Sequence, residues 1–453
     1  MNYTGGAHQF YVDGSPVVQD VYFGGSWHTV LIGTLRGGGR GLFALDITDP
    51  DDIKLLWEKS SSDYPQLGYT YAKPVVTRLQ NGSWAVVLGN GYGSNWTNNG
   101  ATLENAASLY LLNVSDGSLI SQLTASASGT AVNGLSSPLV ADVNNDLIAD
   151  YAYAGDLQGR LWRFDLVGSS ATSYSVAFGG KTPLYSVLAS SYSSGLSSFT
   201  QAITAAPYLV RHPSGTGYLI VFGTGKYLEG ADATANTTKA MTLYGIWDRQ
   251  ATGTAASTTP TLTVANLQQQ TLGADTGISY TSSTGDSVAS TANTLSTTAV
   301  DWYTSTNTAG KYGWYVNLPL TGEMVINKAQ YISDTLLFTS LVPNDDPCDS
   351  GAVTYLYALN PYTGGGSDLL ELGLDTSYSR LKLAGLYGGA SIFTYGNSVV
   401  ISGTSPSTTT TLTNADGSVT TTTLDPSLSK STVTKPKFSR QTWRTIPNQN
   451  PDE

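Results

Sequence analysis

Cysteine is almost absent from this chain: Cys348 is the only one in 453 residues. An internal disulfide is therefore excluded, and the thiol is either unpaired or joined to a segment outside this chain. Histidine is nearly as scarce. His8, His28 and His212 stand far apart and form no H-x-H or H-E-x-x-H pair, so transition-metal chemistry, which leans on His and Cys, has no candidate ligand set. Charged residues make up 12 % of the chain, against about 25 % in ordinary soluble domains. The balance is acidic, with a net charge of −11. Without a basic stripe to neutralise phosphates, nucleic acid is excluded as a partner; an acidic surface is compatible with divalent cations. No apolar run reaches membrane-spanning length. Met1 to Asp13 lacks the basic-then-apolar order of a signal peptide. The opening GAHQFYVDGSP already has a strand pattern and reads as an excised piece with an added start, leaving an export signal to a longer parent. A convincing long helix is also missing.

What replaces these residues is Gly (49), Tyr (28) and abundant Thr and Ser, a composition of short strands and tight turns. Four stretches share one order of features: a small residue, Pro, a β-branched or aromatic run, a polar turn, a second apolar run ending in Gly, then a third run with an aromatic-Leu-Asp flavour. The first is Ser15 to Asp49. The second begins KPVVTRLQNGSWAVVLGNGYGS at Lys73 and is completed by ASLYLLNVSDGSLI. The third is SPLVADVNNDLIADYAYAGDLQGRLWRFDL, Ser137 to Leu166. The fourth begins APYLVRHPSGTGYLIVFGTGKYLEG at Ala206 and ends in MTLYGIWD, Met241 to Asp248. Their leading prolines, Pro16, Pro74, Pro138 and Pro207, recur at about 60 to 70 residues. Units of three or four strands at such a period cannot bury their own faces and predict an all-β radial architecture, a β-propeller. Asn81-Gly82 and Asp116-Gly117 mark hairpins within it.

After Asp248 the pattern fades. Arg249 to Thr298, rich in Thr, Ser, Ala and Gln, reads as an exposed insertion. Strand-like runs return at Tyr312–Pro319, Thr335–Pro343, Val353–Pro361 and Ser391–Gly403. The domain division is a propeller over 1–403 and a Thr-rich arm over 404–453. In the arm, Thr408 to Leu424 is nearly symmetric about Asp416-Gly417, the pattern either of an exposed hairpin or of plain low complexity. Lys437 to Pro447 could dock back on the propeller.

The third repeat carries the chemistry. Asp142, Asn144, Asp146 and Asp150 stand at relative positions 1, 3, 5 and 9, with Ile148 at position 7. This is the ligand spacing of a calcium loop: side-chain oxygens at 1, 3, 5 and 9 and a backbone carbonyl at 7 can wrap around one hard cation. Turn formation alone also gathers Asp and Asn, but it does not require this spacing. Two positions depart from the EF-hand pattern, Leu147 at position 6, where Gly makes the sharp turn, and Tyr153 at position 12, where Glu closes the site. The expected site is a calcium loop at a strand connection. Catalytic motifs fail on inspection. Gly223–Lys226 (GTGK) lacks the spacing and helix of a phosphate loop, Gly89–Gly93 lacks a βαβ context, and no G-x-S-x-G elbow occurs.

Together YVDGSP, SWHTVLIGTLRGGGRGLFALDITDP, LGYTYAKPVVTRLQNGSWAVVLGNGYGS, DVNNDLIADYAYAGDLQGRLWRFDL, ITAAPYLVRHPSGTGYLIVFGTGKYLEG and LYGIWD resemble the C-terminal domain of the PilY1/PilC family, over roughly residues 6 to 400. The resemblance implies a modified seven-bladed β-propeller on an exported protein of type IV pili, at the cell surface, outer membrane or pilus tip of a Gram-negative bacterium. It implies a non-enzymatic role in pilus assembly and adhesion, with minor pilins and host or abiotic surfaces as partners. It also implies Ca2+ at Asp142, Asn144, Asp146, the Ile148 carbonyl and Asp150, with control of pilus extension against retraction. The integrin-binding RGD of some members does not occur here. Two other propellers are alternatives: a quinone-cofactor dehydrogenase, whose Thr-Gly-x-x-x-W repeat ends are missing, and an FG-GAP propeller, which would carry several such loops where one is found.

Overall fold

The computed structural model describes residues 10–93, 106–125, 133–187, 200–228, 232, 240–281, 287–332, 334–343, 352–367 and 378–383. It also gives the strand course at 97–98, 101–102, 387–395, 398–404, 408–413, 419–424 and 429–431. These residues form an all-β molecule of four- to six-stranded sheets with a further three-stranded one, together with two separate two-stranded pairs.

Each sequence repeat is one antiparallel sheet. In the first, Val17–Phe23, Ser26–Thr34, Gly41–Asp46 and Lys54–Ser60 pair in chain order; in the second, Val75–Arg78, Trp84–Gly89, Ala107–Asn113 and Leu119–Ala125 do the same. The third runs Leu139–Ala141, Tyr151–Gly155, Arg160–Asp165, Ser175–Val176, and the fourth opens with Tyr208–Arg211, Tyr218–Gly223 and Thr242–Asp248. The expected hairpins form at both Asn-Gly and Asp-Gly, with Gly82 and Gly117 at φ of 86° and 68°, where a side chain is strained.

Strand alternation explains why the sheets stack around a centre. Successive side chains point to opposite faces, and in Trp84–Gly89 both faces are buried. Val86 and Leu88 pack with Val21, Val30 and Ile32 of the first sheet, while Val87 packs with Ala152, Trp162 and Phe164 of the third. The third sheet repeats this, turning Tyr151, Tyr153 and Leu161 toward Ile220, Phe222 and Ile246 of the fourth. The fourth turns Leu219, Val221 and Trp314 toward Leu336, Phe338 and Tyr357 of the fifth. The opening strands Val17–Phe23, Val75–Arg78, Leu139–Ala141 and Tyr208–Arg211 are sheet edges that neighbour one another in sequence order. They form the inner ring. A Pro just before each of them sits where no ladder donor is needed.

The glycines that end the second runs have a sterically defined role. A Cβ on Gly89 would stand 2.1 Å from the Ser136 carbonyl oxygen, and one on Gly223 2.5 Å from Val325. The lead-in to the next sheet crosses directly over these positions.

Arg249 to Thr298 differs from the expected exposed insertion. Gln268–Gln270 adds to the fourth sheet as a parallel strand beside Gly313–Asn317. Thr276–Thr281 and Ser287–Asn293 form a hairpin that joins the fifth sheet at Arg380–Leu383. Ala251, Leu267 and Ala292 are buried in the cores. The other late runs are strands where expected, at Gly313–Asn317, Thr335–Pro343, Ala352–Leu359, and the hairpin of Tyr387–Tyr395 with Ser398–Thr404. In the arm, Thr408–Thr413 pairs with Val419–Leu424 as a hairpin. Its turn, Lys437–Pro447 and Cys348 lie outside the described residues. Among the described residues no helix is long and apolar enough to cross a membrane.

Candidate metal centre

Leu139–Ala141 and Tyr151–Gly155 pair antiparallel with Ala141 opposite Tyr151, so residues 142–150 are the loop that closes this hairpin. Its base is fixed to the second sheet. The Ala149 N–H donates to the Arg78 carbonyl at 2.9 Å, and the Asp150 N–H to the Ala141 carbonyl at 2.9 Å.

The loop curls around Asp142. One carboxylate oxygen, Oδ1, accepts the Asn145 N–H at 2.7 Å and the Asp146 N–H at 3.3 Å; Oδ2 accepts the Leu147 N–H at 2.8 Å. Asn144 Oδ1 accepts the Asp146 N–H and Asp146 Oδ1 the Ile148 N–H, each at 2.9 Å. Side chains bonding to backbone two residues on make successive Asx turns. The tight path takes Asn145 and Leu147 into left-handed backbone, at φ of 61° and 66°. Leu147 thus adopts the conformation usually left to glycine at position 6, with its side chain 85 % exposed.

Asp150 lies apart from this turn system in environment though not in place. It is fully buried, its Oδ2 accepts the Val143 N–H at 2.9 Å and its Oδ1 accepts Gln80 Nε2 at 3.2 Å. Burial pushes its carboxyl above the ordinary carboxylate range; the Val143 hydrogen bond opposes this, and the charges of Asp146 and Asp142 add to it. The charges of Asp142 and Asp146 are thus felt at Asp150 across the loop. As the side chains stand, no three Asp, Glu, His or Cys among the described residues converge as a metal-holding group; Asp142 and Asp146 are turned to their own backbone. The donor set is oxygen only, three carboxylates, one amide and the Ile148 carbonyl, which fits a hard cation and no soft one.

Gln80 was not legible in the sequence. It follows the second sheet's opening strand, about seventy residues before the loop, and holds Asp150 while its own Oε1 accepts the Gly168 N–H at 2.6 Å. The histidines have other work: His212 stacks on Trp247 with centroids 3.7 Å apart, and His28 stacks on Phe23 and contacts Asp46 at 2.7 Å. Gly223 ends the strand Tyr218–Gly223, and Thr224 to Lys226 continue as irregular chain outside the strand.

Radially stacked sheets, each opening on an inner edge strand, with an oxygen-rich loop on one of them, define a β-propeller. Residues 1–284 match the family model described as the PilY1 beta-propeller domain. The chain is 48 % identical over 412 residues to the type IV pilus biogenesis factor PilY1 of Pseudomonas aeruginosa strain PAO1, covering 84 % of this chain and 34 % of the relative. It is 31 % identical over 405 residues to a PilY1 homologue of Xylella fastidiosa strain Temecula1, covering 84 % and 25 %. The crystal structure of the Pseudomonas aeruginosa PilY1 C-terminal domain superposes with a TM-score of 0.75 at 44 % identity, over 89 % of this chain and 84 % of that one.

The chain belongs to the PilY1 family of type IV pilus biogenesis factors. That family is non-enzymatic, which sets aside the quinone-dependent dehydrogenase. The chain spans about a third of the length of the Pseudomonas relatives it matches.

Proposed function

We propose that this propeller is the calcium-responsive pilus assembly and adhesion module of a larger exported protein at the bacterial surface or pilus tip. The observation that carries the calcium reading is the backbone path of residues 142–150. With Leu147 already at φ 66°, the loop has the turn that calcium loops obtain from glycine, and Ile148 follows it in the position whose carbonyl is a ligand. Asp142, Asn144, Asp146, the Ile148 carbonyl and Asp150 would hold the ion, and water would complete its shell. The ion would supply positive charge among the carboxylates, which have lone pairs enough to keep their backbone hydrogen bonds while ligating, and would order the loop as a docking surface. Minor pilins are the partners proposed for assembly, and host or abiotic surfaces for adhesion.

The test is calorimetric titration of calcium into chelator-treated protein, wild type and Asp150→Ala, with a melting curve for each. One saturable site in the wild type, a melting temperature raised by mass action, and loss of both in the variant are the expected outcome. Equal calcium binding in the two proteins would remove the assignment. Cells carrying Asp150→Ala in the full-length protein should extend fewer pili at the same calcium level.

A further inference from the structure

The residues just before the repeat prolines meet at one place. Ser15, Lys73, Ser137 and Ala206 all line a cavity of about 400 Å³ where the inner strands begin. The Lys73 N–H donates to Ser137 Oγ at 2.8 Å across it. Lys328 enters at the corresponding lead-in to the fifth sheet, ahead of Gln330–Ile332. The calcium loop is at the other end of the Leu139–Ala141 strand, so the cavity is a separate site.

On a chain of net charge −11, the charged groups of this lining among the described residues are cationic: Arg36, Lys73 and Lys328. Arg36 is half-buried, in left-handed backbone at φ 46°, with its guanidinium 5.3 Å from the Tyr71 ring centre. Its Nη1 reaches the Asp13 carbonyl only at 3.5 Å, and its Nε is buried with no hydrogen-bond partner. Lys328 has its Nζ 5.5 Å from the Tyr208 ring centre. Among the described residues none of the three forms an ion pair. Lys73 and Lys328 are exposed residues; desolvation of the Lys328 ammonium lowers it below its ordinary range and the Lys73 charge adds to the effect. Asp232 is bonded to the cavity wall, accepting the Leu228 N–H at 3.0 Å, but it is paired with Lys226 at 3.5 Å. The remaining polar lining is rich in hydroxyls, among them Ser15, Thr34, Tyr71 and Ser137.

We propose that this axial cavity binds a small polyhydroxylated anion of two or more charges, an acidic sugar whose oxyanions lie between Arg36, Lys73 and Lys328. Three cations on one cavity, one of them Arg36 with a buried Nε that lacks a partner, favour phosphate or carboxylate through charge-assisted hydrogen bonds. The hydroxyl lining matches a sugar, and the volume falls in the range of small-ligand sites.

The experiment is calorimetry on chelator-treated protein, so that the loop does not enter, with glucose 6-phosphate, digalacturonate and neutral glucose as probes. We expect one site for at least one charged sugar with a Kd below ~1 mM, no heat with glucose, and weakening with added NaCl. The phosphate and uronate arms identify which oxyanion the site takes. Lys73→Gln with Lys328→Gln should weaken binding about tenfold or more with the melting temperature unchanged. Should that pair melt early, Arg36→Gln alone gives the same reading. Absence of binding by both charged sugars, or wild-type affinity retained in the lysine and arginine variants, overturns the proposal.

Discussion

Leu147 has a left-handed backbone and an exposed side chain. The steric cost of that conformation for an L-residue is about 1–2 kcal/mol, and it falls on folding, because the Asn145, Asp146 and Leu147 N–H groups hold the turn by bonding to Asp142 within the chain itself. Leu147→Gly should therefore raise the unfolding free energy by about 1 kcal/mol, while the calcium affinity stays within about twofold of wild type. Urea denaturation and calcium calorimetry on the same two proteins check both halves; a large gain in affinity without a gain in stability would show that the turn forms only on binding. The spacing of Asp142 to Asp150 was legible in the sequence, because one short segment carries it. The way the carboxylates are held was less so. Gln80 reaches Asp150 only through the stacking of two sheets, and no local pattern reports such a contact.

At the scale of the element, the aromatic-Leu-Asp run ends share a device that the sequence showed only as a motif. Asp46 Oδ1 accepts the Thr48 N–H, Asn113 Oδ1 the Ser115 N–H, Asp248 Oδ1 the Gln250 N–H and Asn360 Oδ1 the Tyr362 N–H, at 2.9 to 3.0 Å. Each is an Asx turn that stops a third strand. The third and fourth sheets add a buried charge network to these turns. Arg163, without exposed side-chain surface, binds Asp165 at 2.7 Å and Asp248 at 2.9 Å, donates to the Thr254 carbonyl at 3.0 Å, and lies over the Tyr151 ring at 4.1 Å. Tyr153 donates to the same Asp248 at 2.8 Å. Arg163→Met would leave two carboxylates buried without their cation, and should cost about 3–5 kcal/mol in urea denaturation. Asp248→Asn in that background should recover part of the loss; if Arg163→Met alone is neutral, the network does not join these sheets.

For the whole molecule, the sequence repeats disclosed the radial plan, because leading prolines, strand alternation and terminal glycines recur in the first four sheets. They failed at Arg249 to Thr298, whose Thr, Ser and Gln looked like solvent-facing chain. Polar composition misled there because the segment is held by backbone pairing and by satisfied amides. Buried Gln270 donates to the Thr298 and Thr363 carbonyls at 2.6 and 2.9 Å and accepts from Ser296 Oγ at 2.6 Å. Asp165 accepts the Ala256 N–H at 2.8 Å, fixing the segment's first part to the third sheet. The segment thus reaches the third, fourth and fifth sheets, and removing it would uncover the edge at Gly313–Asn317 and the face occupied by Ala292, Leu337 and Leu381. Exposed edges and apolar faces favour association between chains. Replacing Arg249–Thr298 with a short Gly-Ser linker should therefore abolish the monomer on size-exclusion chromatography or lower the melting temperature sharply. A monomer that melts like the parent would show that the propeller closes without this segment.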